Sequence, residues 1–101
     1  MNYRKEIKMI LKLYQFHWEC GRQGDVEGIF AATEEEVEKA IGKHVYFGEI
    51  LGKHSEISGD LSIDDLTVLT DDQEFIKKAL EYNLVPSGYV PLEFILDSDD
   101  I

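Results

Sequence analysis

Leu13-Tyr14-Gln15-Phe16-His17-Trp18-Glu19-Cys20, then Gly21-Arg22-Gln23-Gly24-Asp25, then Val26-Glu27-Gly28-Ile29-Phe30-Ala31-Ala32-Thr33, is the stretch that decides the fold. Tyr14, Phe16 and Trp18 alternate with Gln15, His17 and Glu19, the period of two of a half-buried strand. Two glycines in the next five residues permit a turn, after which Val26, Gly28, Phe30 and Ala32 alternate again. The pattern predicts a β-hairpin.

Working outward from the hairpin, Thr33-Glu34-Glu35-Glu36 has the form of a capping box, in which the threonine hydroxyl accepts from an orphan N–H and the last glutamate returns to the cap's own amide. A short helix is expected there, with Val37, Ala40 and Ile41 as its apolar stripe and Gly42 as its stop. Residues 44–51 alternate Val45, Phe47 and Leu51 with His44, Tyr46 and Ile50. The Gly52-Lys53 pair suggests a turn into a partner strand over residues 54–58. Leu66 to Leu69 predicts a further strand. A second helix follows, capped by Thr70 with Gln73 or by Asp71 with Glu74, carrying Phe75, Ile76, Ala79 and Leu80 on one face and stopping at Asn83. Tyr89 to Leu96 contains Pro91 and fits either an edge strand or a short helical turn. Residues 3–9 satisfy a helical and an extended pattern equally, and residues 97–101 read as a frayed tail.

Short connections favour antiparallel pairing over parallel crossovers. The expectation is a single α+β domain spanning residues 1–101, in two layers, with an antiparallel sheet of about four to five strands and two short helices on one of its faces. The other face is expected to stay wet or to meet a partner. A chain of 101 residues has room for one core and not for two.

Composition narrows the function. Twenty-one acidic side chains against ten basic ones give a net charge of −11, and residues 61–101 hold ten of the acidic groups and two of the basic ones. Such a field repels phosphate backbones, which excludes nucleic acid and anionic membranes as partners. The charge also exceeds the magnitude of about 2 to 8 that suffices for solubility in a small domain, and the excess favours a basic partner. No window approaches the roughly 18 apolar residues of a membrane span, and no signal-peptide cleavage pattern follows the basic N-terminal residues. A single cysteine, Cys20, forms no internal disulfide, so a cytoplasmic setting is expected.

Catalytic and cofactor patterns fail one by one. His17, His44 and His54 lack the spacing of a metal site, and on a strand His17 and Cys20 point to opposite faces. A Cys20 nucleophile requires a base such as His44 or His54 nearby, which sequence does not establish. Glu49, His54, Ser55 and Glu56 are acid-base residue types that also populate any wet hairpin. Gly21-x-x-Gly24 and Gly48-x-x-x-Gly52 lack the lysine and helix of a phosphate loop, and Asp60, Asp64 and Asp65 lack the order of a calcium loop. No cofactor, no metal and no catalytic residue is assigned, and an enzyme is the less favoured class.

Trp18-Glu19-Cys20-Gly21-Arg22 and the stretch Val45-Tyr46-Phe47-Gly48-Glu49-Ile50-Leu51-Gly52-Lys53-His54-Ser55-Glu56 resemble small uncharacterised bacterial and phage proteins, over about residues 14–75. The resemblance implies a prokaryotic or viral setting and a shared fold. It transfers no site.

The leading expectation is a small acidic, non-enzymatic protein-binding module, such as an inhibitor, an immunity protein or a nucleic-acid mimic. Glu34, Glu35, Glu38, Asp64, Asp65, Asp71 and Asp72 are its candidate contacts, with Trp18 or Tyr46 as an aromatic anchor. Two alternatives stay open: a ligand-binding or enzymatic domain with a pocket near Gly21 and Gly52, and a homodimer that pairs edge strands.

Overall fold

The hairpin begins two residues earlier than the alternation alone suggests. In the computed structural model, which describes residues 10–52 and 56–96, β1 (Leu11–Glu19) and β2 (Asp25–Thr33) pair antiparallel without a break from Leu11↔Thr33 to Glu19↔Asp25. A 3-10 turn at Gly21–Gln23 joins them, closed where the Cys20 N–H donates to the Gly24 carbonyl at 3.0 Å.

After β2 the chain forms α1 (Glu34–Ala40), β3 (His44–Gly48), β4 (Ile57–Asp60), β5 (Leu66–Thr70), α2 (Gln73–Glu81) and β6 (Ser87–Gly88). One antiparallel sheet has the order β5-β1-β2-β6, and β3 with β4 forms a second, two-stranded sheet. The class is α+β, as expected. The partner of β3 lies later than residues 54–58, because Lys53 to Glu56 offer no apolar group, whereas Ile57 and Leu61 are both buried. Residues 53–55 of that expectation lie outside the described residues, as do the ambiguous segment 3–9 and the tail 97–101.

α1 starts where the capping box places it. Thr33 Oγ1 accepts from the Glu36 N–H at 3.1 Å, Glu36 Oε1 accepts from the Thr33 N–H at 2.9 Å, and Gly42 follows the helix at φ +91. α2 starts later than either expected cap. Asp72 is the cap, its Oδ1 accepting from the Glu74 and Phe75 N–H groups at 3.1 and 3.2 Å. The reason lies in the sheet: Thr70 is held opposite Leu13, so the chain cannot turn helical until it has left β5. Gln73, freed from capping, fastens the helix to β1, donating to the Leu11 carbonyl at 2.6 Å and accepting from the Leu11 N–H at 3.1 Å. Asn83, at φ +60, stops the helix as expected.

The two helices do not share a face. Tyr14, Phe16, Val26, Phe30 and Ala32 pack with Val37 and Ala40 of α1 and with Val45, Phe47 and Ile57 of the second sheet. Leu13 packs instead with Ile76 and Ala79 of α2, joined by Ile29 and Ala31. Residues 13 and 14 point to opposite sides of a strand, so the sheet is sandwiched, and the face expected to stay wet carries α2. Only Ile76 and Ala79 of that helix are buried. Phe75 and Leu80, expected beside them, are exposed, because the apolar patch beneath is narrow. The tail resolves as a 3-10 turn over Pro91–Phe94 that brings Ile95 against Val45.

The larger core is aromatic. Phe47 sits 5.8 Å from Phe16, 5.7 Å from Trp18, 5.6 Å from Tyr89 and 4.8 Å from Phe94, and Tyr14 stacks on Phe30 at 5.5 Å. Each fully buried ring contributes about 1.5–3 kcal/mol relative to an exposed one. At the β2 edge, a side chain on Gly28 would overlap the backbone of Tyr89, and one on Gly88 would overlap the Glu27 carbonyl. Two bare backbones are what let β6 close that edge.

A candidate acidic docking surface

Three of the seven candidate carboxylates, Glu34, Glu38 and Asp71, bear on Lys12 or Tyr14 at the end of the sheet where β1 begins. Lys12, on β1, donates to Glu34 Oε2 at 2.8 Å. That hydrogen bond holds the Lys12 ammonium above its ordinary range and the Glu34 carboxyl below its own, and Asp71, at the junction of β5 and α2, adds its field to Lys12. Tyr14 is pushed up, first by burial and then by the charges of Glu34 and Glu38. Sequence reasoning missed Lys12, since nothing local links it to residues 22 and 59 positions away. The signal was the register: Leu11 opposite Thr33 puts residue 12 beside the first turn of α1.

The remaining candidates divide differently. Glu35 forms an exposed pair with Lys39 at 3.7 Å, one turn along α1. Asp64 and Asp65 lie in a 3-10 turn at Ile63–Asp65, where Asp65 Oδ2 accepts from the Ser62 N–H at 2.9 Å. Asp71 and Asp72 follow β5 directly. Asp64–Asp65 and Asp71–Asp72 therefore bracket β5, one pair at each end of the strand.

Of the two aromatic candidates, Tyr46 is exposed and Trp18 is not presented as an anchor. Trp18 packs edge-on to Phe16 at 5.1 Å and against the bare backbone of Gly59, where an added Cβ would lie 3.4 Å from its ring. The Tyr46 hydroxyl is pushed up, chiefly by the charge of Glu56.

A second acidic group, absent from the sequence candidates, lies on the outer face of the hairpin. His17 Nε2 is 2.8 Å from Asp25 Oδ2, a contact that raises the imidazole above its ordinary range, with Glu27 and Glu19 adding to the field. The pairings His17↔Glu27 and Glu19↔Asp25 place all four side chains on one face. His44 makes a similar exposed contact, Nδ1 to Asp60 Oδ1 at 3.0 Å.

Features that suit chemistry are sparse. Among the described residues no group of three or more His, Cys, Asp or Glu side chains is arranged to hold a metal ion. Burial pushes the Cys20 thiol up, assisted by Asp25 and Glu19, which disfavours the thiolate that a nucleophile needs. The Gly21 turn is open, with nothing within 4 Å of an added Cβ, and Gly52 adjoins residues outside the described set. A hollow of about 510 Å³ lies elsewhere, between α1 and the 3-10 turn near the C-terminus, lined by Glu36, Lys39, Ala40, Lys43, Leu92 and Ile95.

Among the described residues no helix is long and apolar enough to cross a membrane. Comparison with protein-family models, with curated proteins and with solved structures found no match.

Proposed function

We propose that the protein is a small acidic binding module whose carboxylates dock on a basic surface of another protein. What supports the reading is that Glu34 and Asp71, from two separate segments, both bear on Lys12, which pairs with Glu34 alone, while Glu38 adds its charge beside Tyr14. The surplus stays negative and exposed, in a field that steers a cationic partner and raises its association rate. Inhibitors, immunity proteins and nucleic-acid mimics use surfaces of this kind. The protein acts by occlusion, and the cytoplasm is its proposed site of action.

The reading is tested by affinity capture with the wild type and with a Glu34→Lys, Glu35→Lys, Glu38→Lys variant, each at about 0.1 M and 1 M salt, where screening lengths fall from about 10 Å to 3 Å. A partner held by the wild type at low salt, and lost both at high salt and on charge reversal, is the expected result. Equal recovery in all four arms contradicts it.

A further inference from the structure

β5 is one of the two edge strands of the larger sheet, and among the described residues its outer side has no partner. Unlike β2, it is open on both faces: Thr67 is exposed, as are Val68 at 49 % and Leu69 at 44 %, with Ile63 at 57 % just before the strand. Native edge strands normally carry lysine, proline or a bulge that discourages a further strand. Residues 63–72 contain no lysine and no proline. A bulge is present where Leu13 pairs with Thr70 and Tyr14 with Val68, but it lies at the end of the strand and leaves Leu66–Val68 regular.

Charge then selects the occupant. From Asp65 to Asp71 an extended chain covers about 20 Å, so two acidic pairs frame a short apolar edge. A second copy of this chain is a poor match. Paired antiparallel, it would set Asp64 and Asp65 of each copy against Asp71 and Asp72 of the other, and paired parallel it would set like against like. An extended segment with apolar residues in the middle and cations at each end meets the backbone, the apolar side chains and both acidic pairs together.

We propose that the outer edge of β5 takes up an extended peptide segment with an apolar centre and Lys or Arg at both ends, adding it to the sheet as a further strand. This deepens the acidic-docking reading, on which it rests, by naming the edge and the form of the partner. Main-chain hydrogen bonds supply affinity, and the acidic brackets supply selectivity and register.

The test uses the full chain and the synthetic peptide Lys-Lys-Val-Thr-Val-Thr-Val-Lys-Lys, with two controls: a version with Glu in place of every Lys, and a version with Pro in place of the central Val and of the Thr after it, adjacent positions whose N–H groups point to opposite edges. Binding is measured by titration calorimetry, and backbone amide exchange is followed by NMR. The lysine peptide is expected to bind and to slow exchange in Leu66–Val68. The glutamate version binds at least tenfold more weakly, and the proline version, which loses donors from the ladder, also binds at least tenfold more weakly. Neutralising the brackets with Asp64→Asn, Asp65→Asn, Asp71→Asn and Asp72→Asn weakens binding by about tenfold, an amount typical of several exposed ion pairs. Because Asp65 and Asp72 also cap, Val68→Lys in the exposed strand is the companion variant, and it abolishes slowing in Leu66–Val68 with its melting temperature kept.

Salt-sensitive binding that slows exchange in α1 and leaves β5 unchanged overturns the edge proposal while the acidic-docking reading stands. Binding that slows β5 equally for the lysine and glutamate peptides, and equally at about 0.1 M and 1 M salt, overturns both. A concentration-dependent dimer that protects Leu66–Val68 without any peptide puts a second copy on the edge and overturns the proposal. Failure of the lysine peptide to bind at millimolar concentration does the same.

Discussion

The two flanks of β1 differ in kind. On one side β2 pairs along nine residues, with Val26, Gly28, Phe30 and Ala32 buried; on the other β5 pairs along a shorter stretch with Thr67, Val68 and Leu69 exposed. Tyr14 shows the contrast at one position, since its two cross-strand neighbours are Phe30, buried and stacked on its ring, and Val68, open to solvent. Both neighbours are apolar and both satisfy strand propensity. What separates them is the layer above: α1 and the second sheet roof over Phe30, and the roof does not extend to the middle of β5. One flank of the central strand is packed into the core, and the other is an exposed edge, the one at which docking is proposed.

Truncating the two neighbours of Tyr14 breaks the comparison most sharply. Phe30→Ala leaves a ring-sized hole in a packed core and is expected to cost about 3–5 kcal/mol, a large share of a domain's usual 5–15 kcal/mol. Val68→Ala, at a half-open edge, is expected to cost less than about 1 kcal/mol. Urea unfolding of the two variants measures both, and similar losses would show that β5 is as much a part of the core as β2.

Next in size is Gly28→Ala. The added methyl meets the Tyr89 backbone, so β6 must shift away or the strand must bend, at an expected cost of about 1–3 kcal/mol. The same denaturation experiment reads it. A neutral outcome would mean that β6 is not held against β2 in solution.

The smallest effect concerns pH. The contact with Asp25 lifts His17 above its ordinary value near 6.5, so the stabilisation from that contact is complete below the ordinary value and is lost as pH rises through the lifted one. Asp25→Asn removes the largest cause, and the His17 titration should move back down. An NMR titration of the imidazole carbon-bound protons in the two proteins reports the shift. Identical midpoints would show that Asp25 does not hold the ring.

The hairpin and the first helix were legible because their signals are local: alternation over residues 13–20 and 26–32, and a capping box in which cap and glutamate are three residues apart. Both helices were expected on one face of the sheet, whereas they lie on opposite faces, and Ile29-Phe30-Ala31-Ala32 carried the clue. A strand apolar at four successive positions is covered on both sides. The start of α2 was misplaced by one or two residues because Thr70 belongs to the sheet, a fact fixed by pairing with Leu13 and not by propensity. The acidic candidates were legible as residue types only. Which of them act together depends on the contact of Lys12 with Glu34 and on the field of Asp71 at Lys12, and the bracketing of β5 becomes meaningful only once β5 is known to be an edge.

Amide exchange on the unliganded protein tests the difference between the flanks most directly. Thr67 and Val68 are adjacent on an extended chain, so their N–H groups point to opposite sides of β5, one toward β1 and one outward. The outward amide is expected to exchange at close to the rate of an unstructured chain, while the amides of Val26, Phe30 and Ala32 exchange only as the whole domain unfolds. Thr67 and Val68 both exchanging as slowly as Phe30 would show that the outer edge of β5 is already covered, and would contradict the account.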